Sequence, residues 1–470
     1  MAGIRSSSYE VQFCQADHWV LDSRFEAEAE ARAYGKKALS AGKVEGFRII
    51  RDWQRPDGHH VETPVCEEFR TASNVITISP IEKTPAVCQS AKDTYGVESR
   101  MVMNRLLRGY VERVVVTPTE IMHNYQELKR LLDKDNLATT AVNRVAALQA
   151  EVCHQDSRIR RDVLYGFVGE VTEKARRASA RDDLPLISQS GFGPAYEALS
   201  AREAPEDRDF YARVVLSRDL VQMRNWLAKL NFLTELVRKD GGLTEAPLML
   251  VDGAMADVLG APSVAQELLG SQPNLAEALC NLIDLSCGRL AAGVRGEEDR
   301  ALHLSELLAD TALDETRLVI LDLVRRQLKG THPLHRNDPS AERDAFDRVL
   351  ARVVTADAVP NGVVGGGMAE ALVQRYQRFL EAGGATGRRQ AINEITSRLP
   401  DSKDRVRFLL ALADSDLGRQ QSEDIATVLR QMTGDSSSAA ARFVDRSQPI
   451  KNNLEQLTRL YVQIADSTAP

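Results

Sequence analysis

The chain has 470 residues, of which 43% are hydrophobic and 27% charged, with a net charge of -7 and a pI near 5.8. That balance gives the molecule as a whole no electrostatic drive toward nucleic acid or an anionic membrane surface, and no stretch reaches the ~20 apolar residues of a membrane span. A length of this order implies about three packed units at ~100 to 200 residues each.

An aromatic share of only 5% points to cores of Leu, Val and Ala, and so toward helices. Met1 to Glu10 carries no apolar segment of the secretory type. Six cysteines are scattered at Cys14, Cys66, Cys88, Cys153, Cys280 and Cys287, a pattern unlike a secreted disulfide framework. Reduced thiols and a cytoplasmic location are the expectation. The preference for Arg over Lys suggests a GC-rich, bacterial coding sequence.

Residues 1–72 read as a small α+β domain. Tyr9, Val11 and Phe13 alternate with polar residues, Trp19 to Leu21 follow a turn, and Glu26 to Ser40 is an Ala- and Glu-rich helix that stops near Gly42. Phe47, Ile49 and Ile50 resume an extended pattern, and Pro56-Asp57-Gly58 turns the chain into His60 to Phe69. The order is ββαββ.

Residues 73–95, broken by Pro80 and Pro85, read as a linker, with a short strand at Val75 to Ile78. A helical segment over 96–182 follows. Thr117-Pro118-Thr119-Glu120 is a capping box, and Ile121, Tyr125, Leu128 and Leu132 share the face of the helix it opens. Val142, Val145, Leu148 and Val152 form the next stripe, and Leu164, Phe167, Val168 and Val171 another. Pro185, Gly191, Gly193-Pro194 and Pro205 predict a loop over 183–205.

A helical hairpin array is expected over 206–434. It begins with one long helix, Glu206 to Lys239, whose Leu216, Leu220, Met223, Leu227 and Leu230 form a stripe suited to homodimerisation. Ser263 to Gln266 and Asn274 to Glu277 read as capping boxes, and Asp338-Pro339 and Asp401 open later helices. Leu275, Glu277, Ile283-Asp284-Leu285 and Leu290 recur 38 residues on as Leu313, Glu315, Leu321-Asp322-Leu323 and Leu328, a displacement within the range of helical repeats. Residues 435–470 are expected to hold a flexible stretch and a last helix from Pro449 to Ile464.

No complete catalytic motif is present. Cys14, His18, His60 and Cys66, with His59 beside them, offer the thiolates and imidazoles of a tetrahedral zinc site, although their spacing is not that of a zinc finger. The competing reading, half-buried cysteines and exposed histidines, is preferred, and no cofactor is required. Gly383, Gly384 and Gly387 with Arg388 and Arg389 could hold an anion at a helix start, but also suit an ordinary turn between helices. Val364 to Gly367 is a second glycine-rich segment. Cys280 and Cys287 fall on one helix face and read as core, Cys153-His154 does not make a nucleophile pair, and His332-Pro333-Leu334-His335 reads as a surface loop. Arg158, Arg160, Arg161, Lys174, Arg176, Arg177 and Arg181 are the most basic part of the chain, interleaved with acids that suit a solvated, paired face.

The fold expected is therefore mainly α, a helical bundle or α-solenoid-like array preceded by a small ββαββ domain. The leading functional expectation is a cytoplasmic scaffold or adaptor that binds another protein through its helical surface. The alternatives are an enzyme or ligand sensor with a pocket between helices, and nucleic-acid binding through Arg158 to Arg181.

Overall fold

The computed structural model describes residues 7–466 apart from 16–17, 41–43, 45, 55–59, 70–77, 82–84, 135, 240–241, 294–297, 336–340, 355–365, 381–382, 400, 434–442 and 445–448. The chain divides into two compact units, Met1–Ile76 and Thr77–Pro470.

The first unit has the expected ββαββ order: β1 Ser7–Gln15, β2 His18–Phe25, α1 Glu28–Ser40, β3 Gly46–Gln54 and β4 His60–Phe69. All neighbours are antiparallel in the order β2-β1-β3-β4. Alternation puts Val11 and Phe13 of β1 on the same face as Phe47 and Ile49 of β3, where they bury with Ala31 of α1. Val11 lies opposite Ile49 and Phe13 opposite Phe47, the cross-strand pairs that fix register. A Cβ at position 35 of α1 would lie 2.3 Å from the Phe47 ring, so glycine there is what lets the helix approach the sheet.

The second unit is helical throughout. A 3-10 turn, Ala91–Tyr95, precedes α2 Val97–Leu106 and α3 Arg108–Val114. Then come α4 Pro118–His123, α5 Tyr125–Leu132, α6 Leu137–Cys153 and α7 Ser157–Ser179. After these follow α8 Ile187–Ser190, α9 Phe192–Ser200, α10 Pro205–Leu220, α11 Trp226–Arg238, α12 Glu245–Leu259 and α13 Pro262–Leu269. The remainder is α14 Leu275–Ser286, α15 Glu298–Asp310, α16 Asp314–Lys329, α17 Glu342–Val354, α18 Gly366–Gln377, α19 Gly384–Arg398, α20 Ser402–Ala413, α21 Asp416–Gln420, α22 Ser422–Thr433 and α23 Ile450–Asp466. From α11 onward the packing is serial: α12 lies against α11 and α16, α16 against α14 and α18, α18 against α19 and α20, and α20 against α22 and α23. No single described helix is long and apolar enough to cross a membrane.

Several boundaries differ from the sequence reading, each for a local reason. Regular structure starts inside the expected 73–95 linker, at Ala91. The Thr117 capping box forms, with Glu120 N–H donating to Thr117 Oγ1 at 3.1 Å and Thr117 N–H to Glu120 Oε2 at 2.8 Å. The helix it opens lasts only to His123, because Asn124 leaves helical geometry and caps α5 through its own side chain. The expected 183–205 loop contains α8 and α9; Pro194 sits in the first turn of α9, where a missing N–H costs nothing.

The expected long helix from Glu206 to Lys239 is two helices. The first ends at Leu220, with Val221 as its cap, and Asn225 caps the second, accepting from Ala228 N–H at 2.8 Å. Of the stripe, Leu216, Leu220, Leu227 and Leu230 are buried within the chain itself and Met223 is half-buried. Ser263 does not cap a helix: α13 starts one residue earlier, at Pro262, after Ala261. Asn274 and Asp401 do cap, through Glu277 N–H and Lys403 N–H. Asp338-Pro339 and Val75 to Thr77 lie outside the described residues. In the 38-residue likeness Leu275 is the first residue of α14 whereas Leu313 precedes α16, so the two segments share an apolar period but not a start.

Candidate anion-binding site

The site is built on α16. Val319, Ile320, Val324 and Leu328 bury one face, and Asp322 is buried beside them. Arg325 and Arg326 follow at i+3 and i+4, the two spacings that bring side chains onto the same side of a helix as Asp322. Both reach its carboxylate, Arg326 Nε lying 2.9 Å from Oδ2. Arg105, in the last turn of α2, reaches the same carboxylate from another part of the chain.

Two braces hold these helices in place. The Asp252 carboxylate of α12 accepts the N–H groups of Glu315 and Thr316, both at 2.9 Å, and so caps α16 from outside. Arg100 of α2 is buried between Asp257 of α12, at 2.9 Å from its Nε, and Glu315. Asn104, one turn on, donates to Asp257 O at 2.9 Å.

Three guanidinium groups therefore share one carboxylate, a local excess of positive charge. Burial pushes the Asp322 carboxyl up, but Arg105, Arg325 and Arg326 outweigh it and hold the group below the ordinary carboxylate range. Burial likewise lowers Arg326, and the pull of Asp322 is opposed by Arg105 and Arg325. Arg326 Nε is ion-paired with Asp322 at 2.9 Å but off the line of a good hydrogen bond, and Asn104 Oδ1 is a buried acceptor without a donor. Leaving such an acceptor unsatisfied costs roughly 1 to 3 kcal/mol.

Asn104 and Arg326 both line a cavity of about 970 Å³, bounded also by Arg105, Gly260, Arg325, Gly367 and the 414–416 corner, while Asn104 Oδ1 and Arg326 Nε themselves are buried beneath its surface. Its other cations are matched: Lys329 with Glu370 at 2.9 Å, Arg108 with Glu112 at 3.5 Å, and Arg419 with Asp416. The imbalance is at the floor. Gly367, the second residue of α18, comes so close that a Cβ there would sit 3.0 Å from Arg325 Cδ. The N-terminus of that helix, with its positive dipole end, thus adjoins the arginines.

The residues flagged by the sequence fare differently. Along β3, Cys14 is in register with Gly46, Cys66 with Ile49 and His60 with Gln54. At ~3.3 Å per residue the Cys14 and His60 positions are separated by roughly 26 Å, and His18 and His60 are on opposite edge strands. The backbone therefore does not gather the proposed zinc ligands; His59 lies outside the described residues. Among the described residues no group of three or more His, Cys, Asp and Glu is arranged to hold a metal.

Gly383 and Gly384 are exposed, with open space where a Cβ would stand, and Arg389 turns away to Asp424 at 2.8 Å. Gly387 is buried in α19, and Arg388 Nε is buried without a partner. These residues do not form a cradle. In the basic segment Arg160 points inward to Gln149, Arg161 pairs with Asp162, Lys174 with Asp207, Arg176 and Arg177 with Glu173, and Arg181 with Asp183 and Glu203. Cys280 and Cys287 are buried. His332 to His335 is a loop tied to Glu342 and Arg375.

Sequence reasoning missed Arg105, Asn104, Arg325 and Arg326. The Asp322-Arg325-Arg326 spacing was visible, but the arrival of Arg105, 217 residues away, was not. No known protein family, curated protein or solved structure matches the chain.

Proposed function

We propose that the helical unit is a ligand sensor that takes a small phosphorylated metabolite in the cavity between α2, α16, α18 and α21. The observation that carries this reading is the floor, where three arginines share the one carboxylate of Asp322 and each keeps about a fifth to a quarter of its side chain exposed. A phosphate supplies acceptors to the exposed parts of the guanidinium groups in the geometry they favour. The cavity size is at the upper end of the ~300 to 1,000 Å³ usual for small-molecule sites. The buried, unpaired thiols of Cys88, Cys280 and Cys287 suit the cytoplasm, where such metabolites are held.

Isothermal titration of the full-length protein with pyrophosphate and with a hexose phosphate tests the reading. Saturable binding that weakens with salt is expected, and Arg325→Gln is expected to lower affinity by about tenfold or more, the value of one charged hydrogen bond. No binding at low salt, or binding indifferent to Arg325→Gln, would refute it.

The adaptor reading is supported by a different feature. On α23, Ile450 is 88% and Tyr461 71% exposed, with Leu454 between them on the same face. A sensor that reports to another protein would use such a face as its output. Replacing Leu454 and Tyr461 by Ser should abolish any co-purifying partner while leaving pyrophosphate binding intact.

A further inference from the structure

A second cavity, of about 270 Å³, lies among α2, α4, α5, α6 and α7 and is almost wholly apolar. Val102, Ile121, Val142, Phe167 and Val171 represent its walls. Its one buried amide, Gln149, is already satisfied. Gln149 Oε1 accepts from Arg160 Nε at 2.9 Å and Nη2 at 2.7 Å, and Gln149 Nε2 donates to Ala86 O. Arg160 also donates to Cys88 O. This network closes on itself, so Gln149 has no hydrogen bond left for a ligand.

The lining also reaches solvent. Leu132 is 38% and Tyr165 37% exposed, and Thr139 and Glu98 of the same lining are exposed as well. A ligand can therefore place hydrocarbon inside and a polar end outside, and Glu98, the carboxylate of this lining, disfavours an anionic end.

We infer that this cavity binds the tail of an uncharged single-chain amphiphile. A dry apolar cavity of about 150 Å³ accommodates the six carbons of benzene, so the present volume corresponds to a chain of roughly ten carbons. The site is separate from the basic cavity, and its occupancy does not depend on the phosphorylated ligand.

The test uses the full-length protein with N-phenylnaphthylamine, an uncharged dye that fluoresces in apolar surroundings, displaced by 1-decanol. One dye per chain is expected, with displacement by decanol. Val142→Phe, which fills the cavity, is expected to weaken both about tenfold with unchanged helical circular dichroism, whereas Val145→Ala, which enlarges it, retains them. Decanoate should compete several-fold less well than decanol. Absence of saturable dye binding, or equal affinity in Val142→Phe, overturns the site; equal competition by decanoate overturns the uncharged head group.

Discussion

His123 shows how burial dictates chemistry at a single residue. Its ring lies 5.0 Å, centroid to centroid, from both Tyr95 and Phe210. Nδ1 is 2.7 Å from Thr119 O, which can only accept, so Nδ1 carries the hydrogen and Nε2 is a buried lone pair without a donor. Burial, with Arg213 adding to it, holds the imidazole well below its ordinary value. A base with a depressed folded pKa stabilises the fold fully above its unfolded pKa of ~6.5, and that contribution is lost as pH falls toward the folded value. Urea denaturation should therefore show stability falling by up to ~1.4 kcal/mol per pH unit below about 6.5. His123→Phe should remove that slope; an unchanged slope would place its origin elsewhere. Lys229 and Glu120 make the complementary case: both are fully buried, 2.6 Å apart, with Lys229 also donating to Val115 O. Lys229→Met strands a buried carboxylate and should cost ~3 to 5 kcal/mol, whereas adding Glu120→Gln should recover much of it. Equal losses in the single and double variants would show that the charges are not coupled.

At the scale of elements, what was legible was what local chemistry decides. The Thr117 box, the Asn274 and Asp401 caps and the ββαββ order all rest on residues within a few positions of one another. What was not legible was where a good apolar stripe is interrupted. Leu216 to Leu230 continues across Val221 to Asn225 as if helical, yet Asn225 caps a new helix because its side chain competes for the backbone N–H of Ala228. Asn225→Ala is accordingly expected to cost about 1 kcal/mol in chemical denaturation. A change indistinguishable from zero would mean the break is imposed by packing rather than by the cap. The backbone placement of the four zinc candidates was hidden for a related reason: spacing in sequence says nothing of register, and register spreads Cys14, Cys66 and His60 along β3.

At the scale of the whole molecule, the candidate site draws on residues from Ser79 to Arg419, all within the second unit. Each half of the site is unremarkable in sequence: an Asp followed by two arginines is an ordinary helix face, and Arg105 is one basic residue among 60. Only the packing of α2 on α12 and of α12 on α16 makes them converge. Deleting residues 1–76, which carry their own apolar core, should leave the response to pyrophosphate unchanged. The most direct measurement is the thermal stabilisation that inorganic phosphate confers on wild type and on Asp322→Asn. Asp322 is the anion that now occupies the three arginines, so removing its charge should lower the melting temperature in low salt and enlarge the gain from phosphate well beyond that of wild type. A gain that is absent, or no larger in Asp322→Asn than in wild type, would contradict an anion site on this floor.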